Sequence, residues 1–173
     1  MRGRQLACSF TGHRPAKLPW GHREEDSRCI DLKRRLADAV EAAYEEGYRH
    51  FMCGMAMGCD MYFCECALAL RSRKPDVTVE AVLPCPTQTA GWPEAMVLRH
   101  RKLVAACDYE TMVSSEYRQG CMQRRNRYLV DHSALLIAVY DGTSGGTRYT
   151  IQYALHSGIS VVDLPVVPRR SQS

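Results

Sequence analysis

No run of apolar residues in this chain approaches the roughly 18 needed to cross a bilayer as a helix, so no membrane contact is expected. The opening MRGRQLACSF is basic and then apolar. Its apolar part is short and runs into a polar GHRPAK segment, unlike a secretory signal. G-x-x-x-x-G-K-[ST] is missing, and P-loop NTPase chemistry goes with it. An early G-x-G-x-x-G after the first apolar run is missing too, which removes support for an ordinary dinucleotide fold. No paired carboxylates stand out for general acid–base work, and no nucleophilic triad order can be read. The chain shows no internal repeat, no low-complexity tract and no second domain. C-x-x-C is absent although there are nine cysteines. Cys8, Cys53, Cys64, Cys66 and Cys107 sit inside apolar periodic segments, which fits reduced, buried thiols of a cytoplasmic protein better than a disulfide framework or a zinc site.

What is present reads as a globular chain. Of its 173 residues 46% are hydrophobic and 24% charged, enough for one compact domain with a full core. That domain is expected over residues 1–163, with 164–173 as a flexible tail. The formal net charge of +4 is compatible with a phosphorylated ligand or nucleic acid and discriminates little.

Strand-like and helix-like segments alternate. Strands are expected at 5–10, 50–53, 77–83, 109–113, 134–140 and 160–162. Helices are expected at 30–46, 60–71, 93–107, 120–131 and 147–157, with Asp60 as an N-cap. Repeated β-α units predict an α/β fold, a three-layer Rossmann-like open sheet, mainly parallel, with helices on both faces. Such sheets bind ligands beyond the carboxyl ends of their strands. Thr11–Arg14, Gly54–Asp60, Pro84–Gln88 and Asp141–Thr147 fall there.

DGTSGGT at 141–147 is the most informative of these. Small residues between a strand and a helix let backbone approach a ligand closely, and the helix start offers free N–H groups to an anion. Gly145 and Gly146 are therefore expected at a ligand, with Asp141, Thr143, Ser144 and Thr147 around them. Arg14 offers a fork of donors to a phosphate or carboxylate. Beside it, Thr11, Gly12 and His13 have bland readings as turn and loop residues. Gly54 and Gly58 equally suit tight packing. Trp92 is either a stacking ring or a buried anchor.

Taken together, T-G-H-R at 11–14, G-M-A-M-G-C-D at 54–60, Gln88 with Trp92, R-N-R-Y-L-V-D at 125–131 and G-G-T at 145–147 resemble the SLOG superfamily. Within it the resemblance is to the YpsA/YoqJ-like branch, relatives of the DprA and LOG proteins, and it covers roughly residues 6–163. It implies a Rossmann-like fold, a homodimer, and a rim that takes nucleotides, nucleotide-derived signals or nucleic acid. LOG members carry M-x-x-R-K and then P-G-G-x-G-T-x-x-E. Here Met122–Asn126 reads M-Q-R-R-N, which places Arg125 and Asn126 in the first motif. In the second, Thr150 stands where the glutamate belongs. A glycosidic bond breaks through positive charge on the ribose carbon, which a carboxylate stabilises. Asp60, Asp131 and Asp141 are the alternatives. The expectation is therefore a nucleotide-binding or sensing module. Nucleoside-monophosphate phosphoribohydrolase activity follows as an alternative, then single-stranded nucleic-acid binding. No cofactor and no metal are expected.

Overall fold

The computed structural model describes residues 6–168. Six strands form a single sheet: β1 (Ala7–Gly12), β2 (His50–Cys53), β3 (Thr78–Leu83), β4 (Tyr109–Met112), β5 (Leu135–Tyr140) and β6 (Ser160–Pro165). Every neighbouring pair is parallel, in the order β4-β3-β2-β1-β5-β6. The connecting helices are α1 (Ser27–Glu45), α2 (Cys59–Arg73), α3 (Glu94–Ala106), α4 (Cys121–Asp131) and α5 (Gly146–His156). The expected three-layer α/β architecture is the observed one.

The two faces follow from the period-2 alternation of the strands. Cys8, Phe10, Phe51, Val79, Ile137 and Val139 point into the larger core, beneath α1, α2 and α3. Ala7, Met52, Val82 and Leu136 point the other way, towards α4 and α5. In α1 the buried residues Cys29, Leu32, Leu36, Val40 and Ala43 recur every three or four positions, so one stripe faces the sheet. Asp26 caps its start by accepting the Arg28 N–H at 2.9 Å. α2 is wedged between α1, α3 and the sheet and buries nearly its whole first half.

Several boundaries differ from expectation, among them the start of α1, at Ser27 rather than residue 30. β1 runs on through Thr11 and Gly12, so the loop starts only at His13. The N-cap of α2 is Gly58, and Asp60 lies inside the first turn, with its carboxylate reaching back to accept the Ala56 N–H at 3.0 Å. A short 3-10 turn at Pro15–Lys17 follows β1. At the other end Leu164 and Pro165 belong to β6, where Pro165 pairs with Tyr140. Residues 169–173 of the expected tail lie outside the described residues. Among the described residues no helix is long and apolar enough to cross a membrane.

Candidate functional site

The chain leaves β1 towards β2 on one side and β5 towards β6 on the other. The connections after β1 and β5 therefore diverge and open a crevice at their carboxyl ends, the switch point of an open parallel sheet. A cavity of about 230 Å³ fills it. Thr11, Gly12, His13 and Arg14 line it from the end of β1, Asp60 from α2, Arg125 and Asn126 from α4, and Gly146 and Thr147 from the start of α5. Segments more than a hundred residues apart in sequence thus share one rim.

Glycine makes this approach possible where the backbone is most crowded. A Cβ on Gly12 would sit 2.6 Å from the Cys59 Cβ and 2.8 Å from the Phe10 ring. Gly58 has φ of +89° and backs onto the His13 carbonyl, which accepts the Cys59 N–H at 3.2 Å. That bond ties the start of α2 to the end of β1. Between the two glycines of the 54–58 loop, Met55 holds φ of +62° while fully buried. A left-handed non-glycine residue is a strained element of the kind found at ligand sites.

Cations dominate the lining, with Arg14 and Lys17 exposed at its edge and Arg125 within. Arg125 is buried, and its guanidinium donates to the Gly54 carbonyl, to Val82 O at 3.4 Å and to Asn126 Oδ1 at 2.9 Å. Among the described residues it has no carboxylate in ion-pair contact. Burial disfavours its charged form, and the Arg14 guanidinium adds to the penalty while Asp60 offsets part of it. Arg14 and Arg125 converge on one weak acceptor, the Met122 sulfur, at 4.0 and 3.9 Å. Asp60 is the carboxylate among the lining residues. Burial holds its pKa above the usual value despite Arg125, the Ala56 N–H and Arg14.

Gly54 and Gln88 lie behind the cavity and hold its wall. The Gly54 carbonyl takes Arg125 from one side and Gln88 Nε2 from the other, at 2.9 Å. Gln88 Oε1 in turn accepts from His100 Nε2 at 2.9 Å, and Trp92 packs edge-on against that imidazole with centroids 5.5 Å apart. Trp92 is thus a packing partner in this relay; it does not line the cavity. Burial lowers the His100 pKa.

Of the 141–147 segment only Gly146 and Thr147 line the cavity; Asp141, Thr143, Ser144 and Gly145, expected at a ligand, are not among its lining residues. Asp141 Oδ1 accepts from the Thr143 N–H at 3.0 Å, from the Thr143 hydroxyl at 2.7 Å and from His13 Nε2 at 2.8 Å. Burial would raise the Asp141 pKa, but those Thr143 and His13 bonds bring it down to about 2. Gly145 has φ of +144°, outside the range other residues favour. Lys17, which sequence reasoning missed, reaches across from the 3-10 turn and donates to Ser144 O at 2.5 Å and to Thr143 Oγ1 at 3.5 Å. It follows T-G-H-R by three residues, and a turn at Pro15 was the available signal.

Of the three alternative carboxylates, Asp60 lines the cavity and Asp141 touches it through His13. Asp131 sits at the far end of α4, bonded to the Tyr153 hydroxyl at 2.7 Å. Thr150 is buried inside α5, its hydroxyl donating to Gly146 O at 2.8 Å, and it does not face the cavity.

This arrangement can be set beside known proteins. The sequence profile of the YspA SLOG family matches residues 8–159. The uncharacterised SPbeta prophage-derived protein YoqJ of Bacillus subtilis is 29% identical over 139 residues, spanning 72% of this chain and 81% of its own. A UPF0398 protein of Bacillus velezensis is 22% identical over 149 residues, spanning 84% and 81%. Among solved structures, DNA processing protein A of Helicobacter pylori superposes with a TM-score of 0.62 at 16% identity, over 98% of this chain and 69% of that one. The Streptococcus pneumoniae protein of the same name gives 0.61 at 14%, over 92% of this chain. The present chain spans only 50% of that Streptococcus protein, and both likenesses are of fold.

Proposed function

The chain belongs to the YspA SLOG family, and from that membership we propose that its β1–β5 crevice binds the phosphate end of a nucleotide or nucleotide-derived ligand, as a binding or sensing module. One observation carries this reading. Arg14 and Arg125 bring two guanidinium groups to a single cavity where they share a thioether and, among the described residues, have no carboxylate in ion-pair contact. Arg125 is buried while Arg14 is exposed beside it, and a buried guanidinium next to a second one is costly unless an anion joins them. The start of α5 adds unpaired backbone N–H groups at Gly146 and Thr147 on the same wall. A phosphate fits both demands: it accepts from guanidinium forks and from helix-start amides.

Binding ranks above hydrolysis because position 150 offers a helix-bonded hydroxyl in place of a carboxylate. A specific observation keeps N-glycoside hydrolysis as the second reading: Asp60 places one carboxylate in the cavity.

Isothermal titration of the folded protein with a panel of nucleoside mono-, di- and triphosphates and cyclic or ribosylated derivatives tests the first reading. Saturable binding with ligand recovered intact supports it, and silence across the panel removes it. Chromatography of the same mixtures tests the second, since free base after incubation with nucleoside monophosphates would establish turnover.

A further inference from the structure

Away from the crevice, three cysteines from three elements gather on the α2 side of the sheet. Cys53 ends β2, Cys64 lies midway along α2, and Cys107 caps the carboxyl end of α3. Cys53 and Cys64 are fully buried, whereas Cys107 is partly open to solvent. The Cys64 and Cys107 sulfurs are 3.9 Å apart. Cys53 Sγ turns elsewhere, towards Met55 Sδ at 3.6 Å and Glu80 O at 3.7 Å. Among the described residues no group of three or more His, Cys, Asp or Glu is placed to hold a metal ion, so coordination does not account for the cluster.

We propose that Cys107 and Cys64 form a peroxide-responsive thiol pair, with Cys107 oxidised first and Cys64 closing an intramolecular disulfide. The placement separates the two roles. An attacking thiol needs access to solvent, and Cys107 has it. A resolving thiol needs proximity and protection, and Cys64 has both. A disulfide requires an S–S distance of about 2 Å, so the sulfurs must close by roughly half their present separation, through rotation at the two Cβ atoms. The electrostatics run the same way. The neighbouring Cys64 thiol, 3.9 Å away, and Arg71 lower the Cys107 pKa against the effect of burial. Hydrogen bonding with Cys107, aided by burial, raises the pKa of Cys64.

The chemistry balances with hydrogen peroxide as oxidant. The Cys107 thiolate attacks one peroxide oxygen, the O–O bond breaks, and Cys107 sulfenic acid and hydroxide form. Cys64 sulfur then attacks the sulfenic sulfur. The S–S bond forms, the S–OH bond breaks, and the departing hydroxide takes the Cys64 proton as water. Two thiols lose two electrons in all and the peroxide gains them. The bridge would pin the middle of α2 to the end of α3. Cys64 stands four residues from Asp60 on α2, so the pinned segment is the one that carries Asp60 to the crevice. The inference does not depend on what the crevice binds.

The test uses the full chain, reduced and then exposed to equimolar hydrogen peroxide. Free thiols are alkylated at timed intervals and peptides are mapped by mass spectrometry without reduction. A Cys64–Cys107 cross-link is expected, with Cys107 consumed at least ~10-fold faster than Cys66. Cys66 is the internal control. It is the other partly exposed thiol, and burial together with Glu65 pushes its pKa up to about 11. In Cys64→Ser the reaction should stop at a Cys107 sulfenic acid that a 1,3-diketone captures. In Cys107→Ser the cross-link should vanish. Equal consumption of Cys107 and Cys66, or a bridge from Cys107 to Cys53 or to a second copy, overturns the proposal. The map of the unmutated chain decides the matter even if a serine variant fails to fold.

Discussion

His13 Nε2 lies 2.8 Å from Asp141 Oδ1, a contact that ties the loop after β1 to the loop after β5 at the mouth of the crevice. The same oxygen gathers the Thr143 amide and hydroxyl. One carboxylate oxygen thus sets both the histidine that lines the cavity and the loop that leads into α5. Asp141→Ala removes all three bonds at a position that is partly exposed. The sheet should survive, with a loss of about 1–2 kcal/mol read by chemical denaturation. Amide exchange at Thr143 and its neighbours should rise by about 10-fold, and nucleotide affinity should fall. Unchanged exchange in this loop would mean that Asp141 does not organise it.

Arg125 gives a test that separates holding the fold from holding a ligand. A buried guanidinium without a contacting carboxylate weakens a structure more than a well-packed apolar chain of similar size does. Arg125→Met should leave the melting temperature unchanged or raise it, while affinity for a phosphate-bearing ligand falls at least ~10-fold. A purely structural arginine behaves oppositely: loss of its bonds to Gly54 O, Val82 O and Asn126 would lower the melting temperature and leave binding alone.

The crevice glycines divide into two kinds. A Cβ at Gly54 would lie 2.6 to 2.9 Å from the Arg125 guanidinium, so Gly54→Ala must displace it. A cost of about 1–3 kcal/mol is expected in thermal or urea unfolding. At Gly146 a Cβ would meet nothing within 4 Å, and no positive φ is imposed. Helix packing therefore does not explain Gly146. Gly146→Ala should be neutral in unfolding, or better by the few tenths of a kcal/mol that alanine gains in a helix. It should nonetheless reduce ligand affinity, because the methyl group occupies the cavity wall. A variant that is neutral in both assays would leave Gly146 without a part in binding.

Strand and helix positions were legible because alternation and three-to-four spacing are local signals. β5, a run of six apolar or aromatic residues, and α1, with its buried stripe, are the plainest cases. The rim beyond the carboxyl ends of the strands was legible too, once repeated β-α units implied a parallel sheet; the strand order that sets β1 beside β5 was not. Lys17 was not, because its reach to Ser144 spans 127 positions and rests on a 3-10 turn no periodicity announces. Nor was the division of labour in α4. Sequence shows three arginines at 124, 125 and 127; the M-Q-R-R-N match singled out Arg125, but its turn inward beneath Gly54 is a matter of tertiary packing. The relay from Trp92 through His100 and Gln88 to Gly54 O is likewise a matter of three elements meeting.

The pH dependence of stability offers a last test, centred on Asp60. Burial raises its pKa in the folded chain, and the attraction of Arg125, the Ala56 N–H and Arg14 does not fully offset this. The folded form therefore holds its proton to higher pH than the unfolded chain, whose aspartate titrates near the ordinary value of 3.8. Above the folded pKa the ionised carboxylate costs stability. That cost fades as pH falls through the folded pKa, and it is gone below the unfolded one. Asp60→Asn keeps an acceptor for Ala56 N–H and removes the charge. It should raise stability at pH 7, and the gain over the unmutated chain should shrink as pH drops towards 4. An advantage that stays constant with pH would assign the effect to packing alone. If Asp60 contacts the sugar of a bound nucleotide, the same variant should lose affinity while it gains stability, and calorimetry of binding on the purified variant reads that directly.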